Sequence, residues 1–152
     1  MDRRTDTRIG EICEALRAGA PVGWESITLE VWANVMAYEV AVSAQGAGGC
    51  FVGEMRQLAL TEQFQILRDE MYEPDKGAWL SARFILRRTG DSEISFNFDE
   101  DPNWTPELHP MMFVRDLEAY PRADGHIPPW LRRLVDQGHE LERQHEAAQD
   151  DQ

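Results

Sequence analysis

The chain has 152 residues, enough for one domain with its own core, because a chain of this length buries about 68–70% of the surface its unfolded form exposes. Its net charge of −13 repels nucleic-acid phosphates and anionic membrane surfaces, so direct nucleic-acid binding is disfavoured; the same charge either steers a basic partner inward or serves solubility alone, and does not by itself decide between them. Cys13 and Cys50 form no CxxC or Cys/His spacing, so two reduced thiols and no metal site are expected. No apolar run approaches the roughly 20 residues needed to span a bilayer, and MDRRTDTRIGE lacks the apolar stretch of a signal peptide, so a cytoplasmic location is expected.

In chain order, Ile9, Ile12, Cys13 and Leu16 recur at helical spacing, with Thr5 to Thr7 as candidate caps and Gly19 and Pro21 ending the pattern. Ile27, Leu29 and Val31 then alternate with polar residues, which predicts a strand with one buried face and puts Trp24 and Trp32 on the other. Met36, Tyr38, Val40 and Val42 share one face of a second strand, and the short Ala33–Asn34 connection predicts a hairpin. Gly46, Gly48 and Gly49 read as a flexible turn, because no Walker lysine follows and no GxGxxG opens a helix.

Leu60, Phe64, Leu67 and Met71 predict a middle helix, broken by Glu73-Pro74 and Gly77. Two further strands follow, one burying Leu80, Ala82, Phe84 and Leu86, the other Ile94, Phe96 and Phe98, joined through Gly90-Asp91. Pro110 and Pro129 stand where two C-terminal helices start, one carrying Phe113, Leu117 and Tyr120, the other Leu131, Leu134, Val135 and Leu141. The expectation is one α+β domain over residues 1–145, an antiparallel β-sheet of about four to five strands flanked by N-terminal, middle and C-terminal helices, with a frayed acidic tail over 146–152. Helices covering one face of such a sheet leave the other partly open to a partner.

Chemistry is sparsely marked. No GxSxG elbow or Cys/His signature activates a nucleophile, and His139 and His145 stand six apart rather than at the i, i+4 spacing of helical zinc sites. No catalytic residue, cofactor or metal is therefore expected. The run Asp99-Glu100-Asp101 with nearby Trp104 offers a charged rim beside an aromatic, the combination that interface hot spots favour. Asp69, Glu70, Glu73 and Asp75, flanked by Tyr72 and Trp79, form a second such stretch. For the acids the alternatives are a solvated turn and, less favoured, a metal or catalytic role; for the tryptophans core packing is the more frequent fate of a large aromatic and is preferred over the anchor role.

The segment MYEPDKGAWLSARFILRRTGDSEISFNFDEDPNW, followed by FVRDLEAYPR and HIPPWL, resembles the YezG-like immunity protein family, found beside bacterial polymorphic toxins. The resemblance covers about Met71 to Leu131 and rests on Trp79 opening a strand, an acidic turn with Pro102, Tyr120-Pro121-Arg122 and Ile127-Pro128-Pro129-Trp130-Leu131. Phe98 departs from the Tyr that often precedes the Asp in that family. The resemblance implies a cytoplasmic antitoxin that binds a cognate secreted toxin domain, often a nuclease, without chemistry of its own. The partner-binding residues expected are Asp99, Glu100, Asp101 and Trp104, with Asp69, Glu73 and Asp75 as a second patch. The competing readings are a general protein-binding adaptor and an enzyme using the Asp99–Asp101 carboxylates.

Overall fold

A computed structural model describes residues 3–47, 49–52 and 57–150. Strand β1 (Trp24–Asn34) is the organising element: its β-branched and leucine residues bury Ile27, Leu29, Val31 and Ala33 on one face, and it pairs on both sides. One neighbour is β2 (Ala37–Gly46), which pairs in turn with the edge strand β3 (Gly49–Val52). The other is β4 (Ser81–Arg87), which pairs with the edge strand β5 (Ser92–Asn97). The five-stranded sheet has the order β3–β2–β1–β4–β5, and every pair is antiparallel.

Helices α1 (Arg3–Ala18) and α2 (Gln57–Met71) cover one face. Their Ile12, Leu16, Phe64 and Leu67 join Leu29, Val31, Trp79, Phe84 and Leu86 in the main core, each apolar side chain contributing about 1.5–3 kcal/mol on burial. Arg8 ties the two helices through Glu70 (2.8 Å) and Gln63 (2.9 Å). The other face of the sheet is partly open: it carries exposed Glu39, Ala41, Arg83, Glu93 and Ser95, while Trp32 on it packs against Trp104, Phe113 and Leu131. Helices α3 (Pro110–Ala119) and α4 (Pro129–Asp150) pack on each other, and α3 also reaches β1; a second buried cluster of Trp104, Phe113 and Leu131 lies there, with Trp32, Trp130 and Leu134 against it. Among the described residues no helix is long and apolar enough to cross a membrane.

The α+β class, the antiparallel sheet flanked by helices and a turn at the glycine run are as the sequence leads one to expect, while four local features differ. Helix α1 starts at Arg3, so Thr5 is buried inside it and Thr7 donates its hydroxyl back to the Arg3 carbonyl (2.9 Å) rather than capping. A register shift between Trp24 and Ser26 breaks the alternation of β1, and Trp24 packs on the main core under the Arg17 guanidinium instead of sharing a face with Trp32.

The β1–β2 turn is Val35–Met36, not Ala33–Asn34: Ala33 is still buried strand, and the turn amides are held by side chains. Met36 N–H donates to Asn34 Oδ1 (2.9 Å), and Val35 N–H donates to Asp116 Oδ1 (2.7 Å) from α3. The glycine run closes a β2–β3 hairpin with Gly46 opposite Gly49; a Cβ on Gly46 would run into the Gly23 carbonyl, and Gly48 lies outside the described residues. Finally, residues 146–150, expected as part of a frayed tail, continue α4, as the helix-favouring Ala147 and Ala148 and the His145–Gln149 side-chain contact (3.0 Å) support.

Candidate functional site

The acidic run begins where β5 ends, and its backbone is fixed from several sides. Asn97 accepts from Glu100 N–H (2.9 Å) through Oδ1, and its Nδ2 donates to the Glu100 carbonyl (2.9 Å) and to Ser81 Oγ (3.1 Å). Asp101 Oδ1 accepts from Asn103 N–H (2.9 Å), and Asn103 takes a left-handed φ of 55°, which asparagine tolerates better than most side chains. Trp130 Nε1 donates to the Asp99 carbonyl (2.8 Å), and Trp32 Nε1 donates to the Pro102 carbonyl (2.9 Å).

Arg122 is the clamp beneath this turn. Its side chain is 3% exposed, and its guanidinium donates to the carbonyls of Phe98 (2.6 Å), Ala78 (3.1 Å) and His126 (3.0 Å), while Asp99 Oδ1 lies 3.5 Å away. Burial lowers its pKa, and the Asp99 charge works against that shift. The carboxylate of Asp99 nevertheless remains 72% exposed, and Glu100 and Asp101 are exposed too. The turn is thus rigid at its main chain and free to present charge at its side chains.

Asp69, Glu73 and Asp75 are exposed on the end of α2 and the turn after it. The Tyr120 hydroxyl donates to Asp69 Oδ1, the Tyr72 hydroxyl to the Pro121 carbonyl (2.7 Å), and Ala123 N–H to the Asp75 carbonyl (2.9 Å). Glu73 faces Lys76 at 3.6 Å across an exposed pair. The structure therefore brings both acidic stretches against one segment, Tyr120–Ala123: Asp99 through Arg122, and Asp69 and Asp75 through its neighbours.

Trp104 does not join this surface as an aromatic anchor. It is 8% exposed and packs with Phe113 and Leu131, because the loop from Pro102 folds back onto α3 and α4. Trp79 is fully buried, its ring 5.6 Å from that of Phe96. Sequence reasoning missed Arg122, Trp32 and Trp130, whose roles depend on carbonyls 20 or more positions away in the chain. The segments carrying Arg122 and Trp130 stand out in the sequence, but nothing in their residue types says which backbone they hold.

Two depressions flank the turn. One of about 480 Å³, on the open sheet face, is lined by Glu30, Trp32, Ser81, Arg83, Asn97 and Glu100 among others; the second, about 590 Å³, lies between the 101–108 loop and the last two helices. Among the described residues no three His, Cys, Asp or Glu side chains converge as a metal site.

Behind the site, burial raises the pKa of Tyr38, and burial followed by the Asp69 hydrogen bond raises that of Tyr120. Native tyrosines with raised pKa values favour the neutral form. Their contribution to stability is present in full below the unfolded value of about pH 10 and is lost as pH climbs through the folded values. The thermal midpoint should accordingly fall above about pH 10, and Tyr120→Phe should make that fall shallower; an unaltered alkaline profile in the variant would contradict this.

A scan against protein-family models finds no match to this chain, and a search of the curated proteins finds none.

Proposed function

We propose that this chain is an immunity protein that binds the catalytic domain of a cognate secreted toxin, a nuclease in the leading case, and neutralises it in the cytoplasm without catalysis. The observation that supports this most is the acidic turn Asp99–Asp101, whose main chain is pinned by Arg122, Trp32, Trp130 and Asn97 while its carboxylates face solvent. A nuclease needs a basic groove for phosphates, and a preorganised row of carboxylates competes for such a groove at little ordering cost. The resemblance over Met71–Leu131 supports the same reading, and the net charge of −13 supplies long-range attraction to a basic partner. Asp69, Glu73 and Asp75, two of them bonded to the Tyr120–Ala123 segment, extend the contact, and Trp104 serves by holding the loop in place.

The test is capture of the partner from native cells with tagged chain at low and high salt, followed by co-expression. The reading requires one large protein whose C-terminal domain is toxic alone and harmless beside this chain. With that complex in hand, Asp99→Asn, Glu100→Gln and Asp101→Asn together should slow association about tenfold or more at low salt and flatten its salt dependence. An association rate that keeps its salt dependence would remove the turn from the interface, and recovery of housekeeping proteins without a toxin would favour an adaptor.

A further inference from the structure

The acidic turn also forms one wall of the depression on the open sheet face, and the chemistry of that depression is more specific than a charged rim. Its floor comes from adjacent strands: Glu30 and Trp32 lie two apart on one face of β1, Arg83 stands directly opposite Glu30 on β4, and Ser95 and Asn97 lie beyond on β5. Glu100 and Pro102 close it from the turn. The Trp32 indole is half-buried and its orientation is set by the Nε1 bond to the Pro102 carbonyl.

We infer that this groove receives an arginine side chain of the partner, the guanidinium lying against the Trp32 indole between the carboxylates of Glu30 and Glu100. This assignment rests on the proposed binding of a basic protein and names the group by which that protein is held. A volume of about 480 Å³ is ample for one long side chain. Two acidic residues, Glu30 and Glu100, line the depression beside a single basic residue, Arg83, whose Nε sits 3.7 Å from Glu30 Oε1 with the two side chains 57% and 41% exposed. So loose a pair yields to a competing cation, and Glu100 makes no ion pair with any described residue. An oriented indole attracts a cation over its face, and a planar guanidinium matches both that face and a carboxylate edge better than an ammonium does. Ser81 and Ser95 add hydroxyls to accept remaining N–H groups.

The test uses the isolated chain and Nα-acetyl-arginine methylamide, followed by two-dimensional amide and indole NMR, with the neutral citrulline analogue as control. Saturable shifts confined to the Trp32 indole and the amides of Ser95, Asn97 and Glu100, absent with citrulline, are expected. Glu30→Gln and Glu100→Gln, both surface substitutions, should leave the spectrum otherwise dispersed as before and weaken the probe by about fivefold per carboxylate removed. Shifts scattered over the whole acidic surface, or equal binding by the doubly substituted chain, would overturn the assignment. Because the probe needs no toxin, a negative result overturns the pocket alone, whereas failure to capture a toxin overturns the immunity reading alone.

Discussion

Asp116→Ala is expected to lower the unfolding free energy by about 3–5 kcal/mol, because it strands a buried guanidinium. Arg68 is 0% exposed and stands on α2 with its Nη1 and Nη2 donating to both Asp116 oxygens at 2.6 and 2.8 Å. Its Nε donates to the Trp79 carbonyl (2.8 Å), and the guanidinium lies 4.4 Å from the centre of the Tyr120 ring. Burial alone would lower the Arg68 pKa, but the hydrogen bond and charge of Asp116 reverse that and raise it. Removing the carboxylate also deprives Val35 N–H of its acceptor, so the β1–β2 turn loosens as the ion pair is lost. A urea midpoint shifted down with an unchanged slope would confirm the prediction. Replacing both partners together, Arg68→Met with Asp116→Leu, should recover much of the loss, since exchanging a buried pair for apolar residues is often neutral; equal losses in the single and double variants would contradict the account.

Arg122→Ala should cost about 2–4 kcal/mol, from charged hydrogen bonds to three carbonyls that individually contribute about 1.5–3 kcal/mol, reduced where water reaches the vacated space. The substitution should also release the order of the acidic turn. Phe98 and Asp99 are held by Arg122 and Trp130, so without the guanidinium the acidic turn gains freedom and its carboxylates lose their fixed spacing. Hydrogen exchange should accelerate over residues 97–103 while the β1 and β4 amides stay protected. Arg122→Lys should restore only part of the effect, because an ammonium lacks the fork that reaches separate carbonyls. Gly77→Ala tests the same clamp from the other side: Gly77 has a φ of +94°, and an added Cβ would run into the Arg122 side chain. Fast exchange in both variants would tie the turn to Arg122; slow exchange in both would show that Asn97 and Trp32 suffice.

The acidic turn was legible as a run of carboxylates after an alternating strand, but not as a constrained one, because beyond the neighbouring Asn97 the residues that constrain it, Trp32, Arg122 and Trp130, come from β1 and from the segments around α4. Trp104 illustrates the opposite error. A tryptophan three residues after an acidic run has the composition of an interface anchor, and only the return of the loop onto Phe113 and Leu131 puts it inside. The pairing of Arg68 with Asp116 was equally hidden, since a charged residue on a helix is normally solvent-facing and its burial depends on a partner 48 positions away.

Periodicity by itself determined most of the elements and their buried faces: Ile27, Leu29 and Val31 alternate, as do Ala82, Phe84 and Leu86, and Leu60, Phe64 and Leu67 follow the helical repeat, because each local geometry permits one spacing of side chains toward a core. Composition likewise determined the net charge of −13. The tertiary structure alone decided the order β3–β2–β1–β4–β5, the Val35–Met36 turn, and the meeting of both acidic stretches at Tyr120–Ala123. Those depend on hydrogen-bond partners brought together by the return of the chain, and no repeat within a local window encodes them.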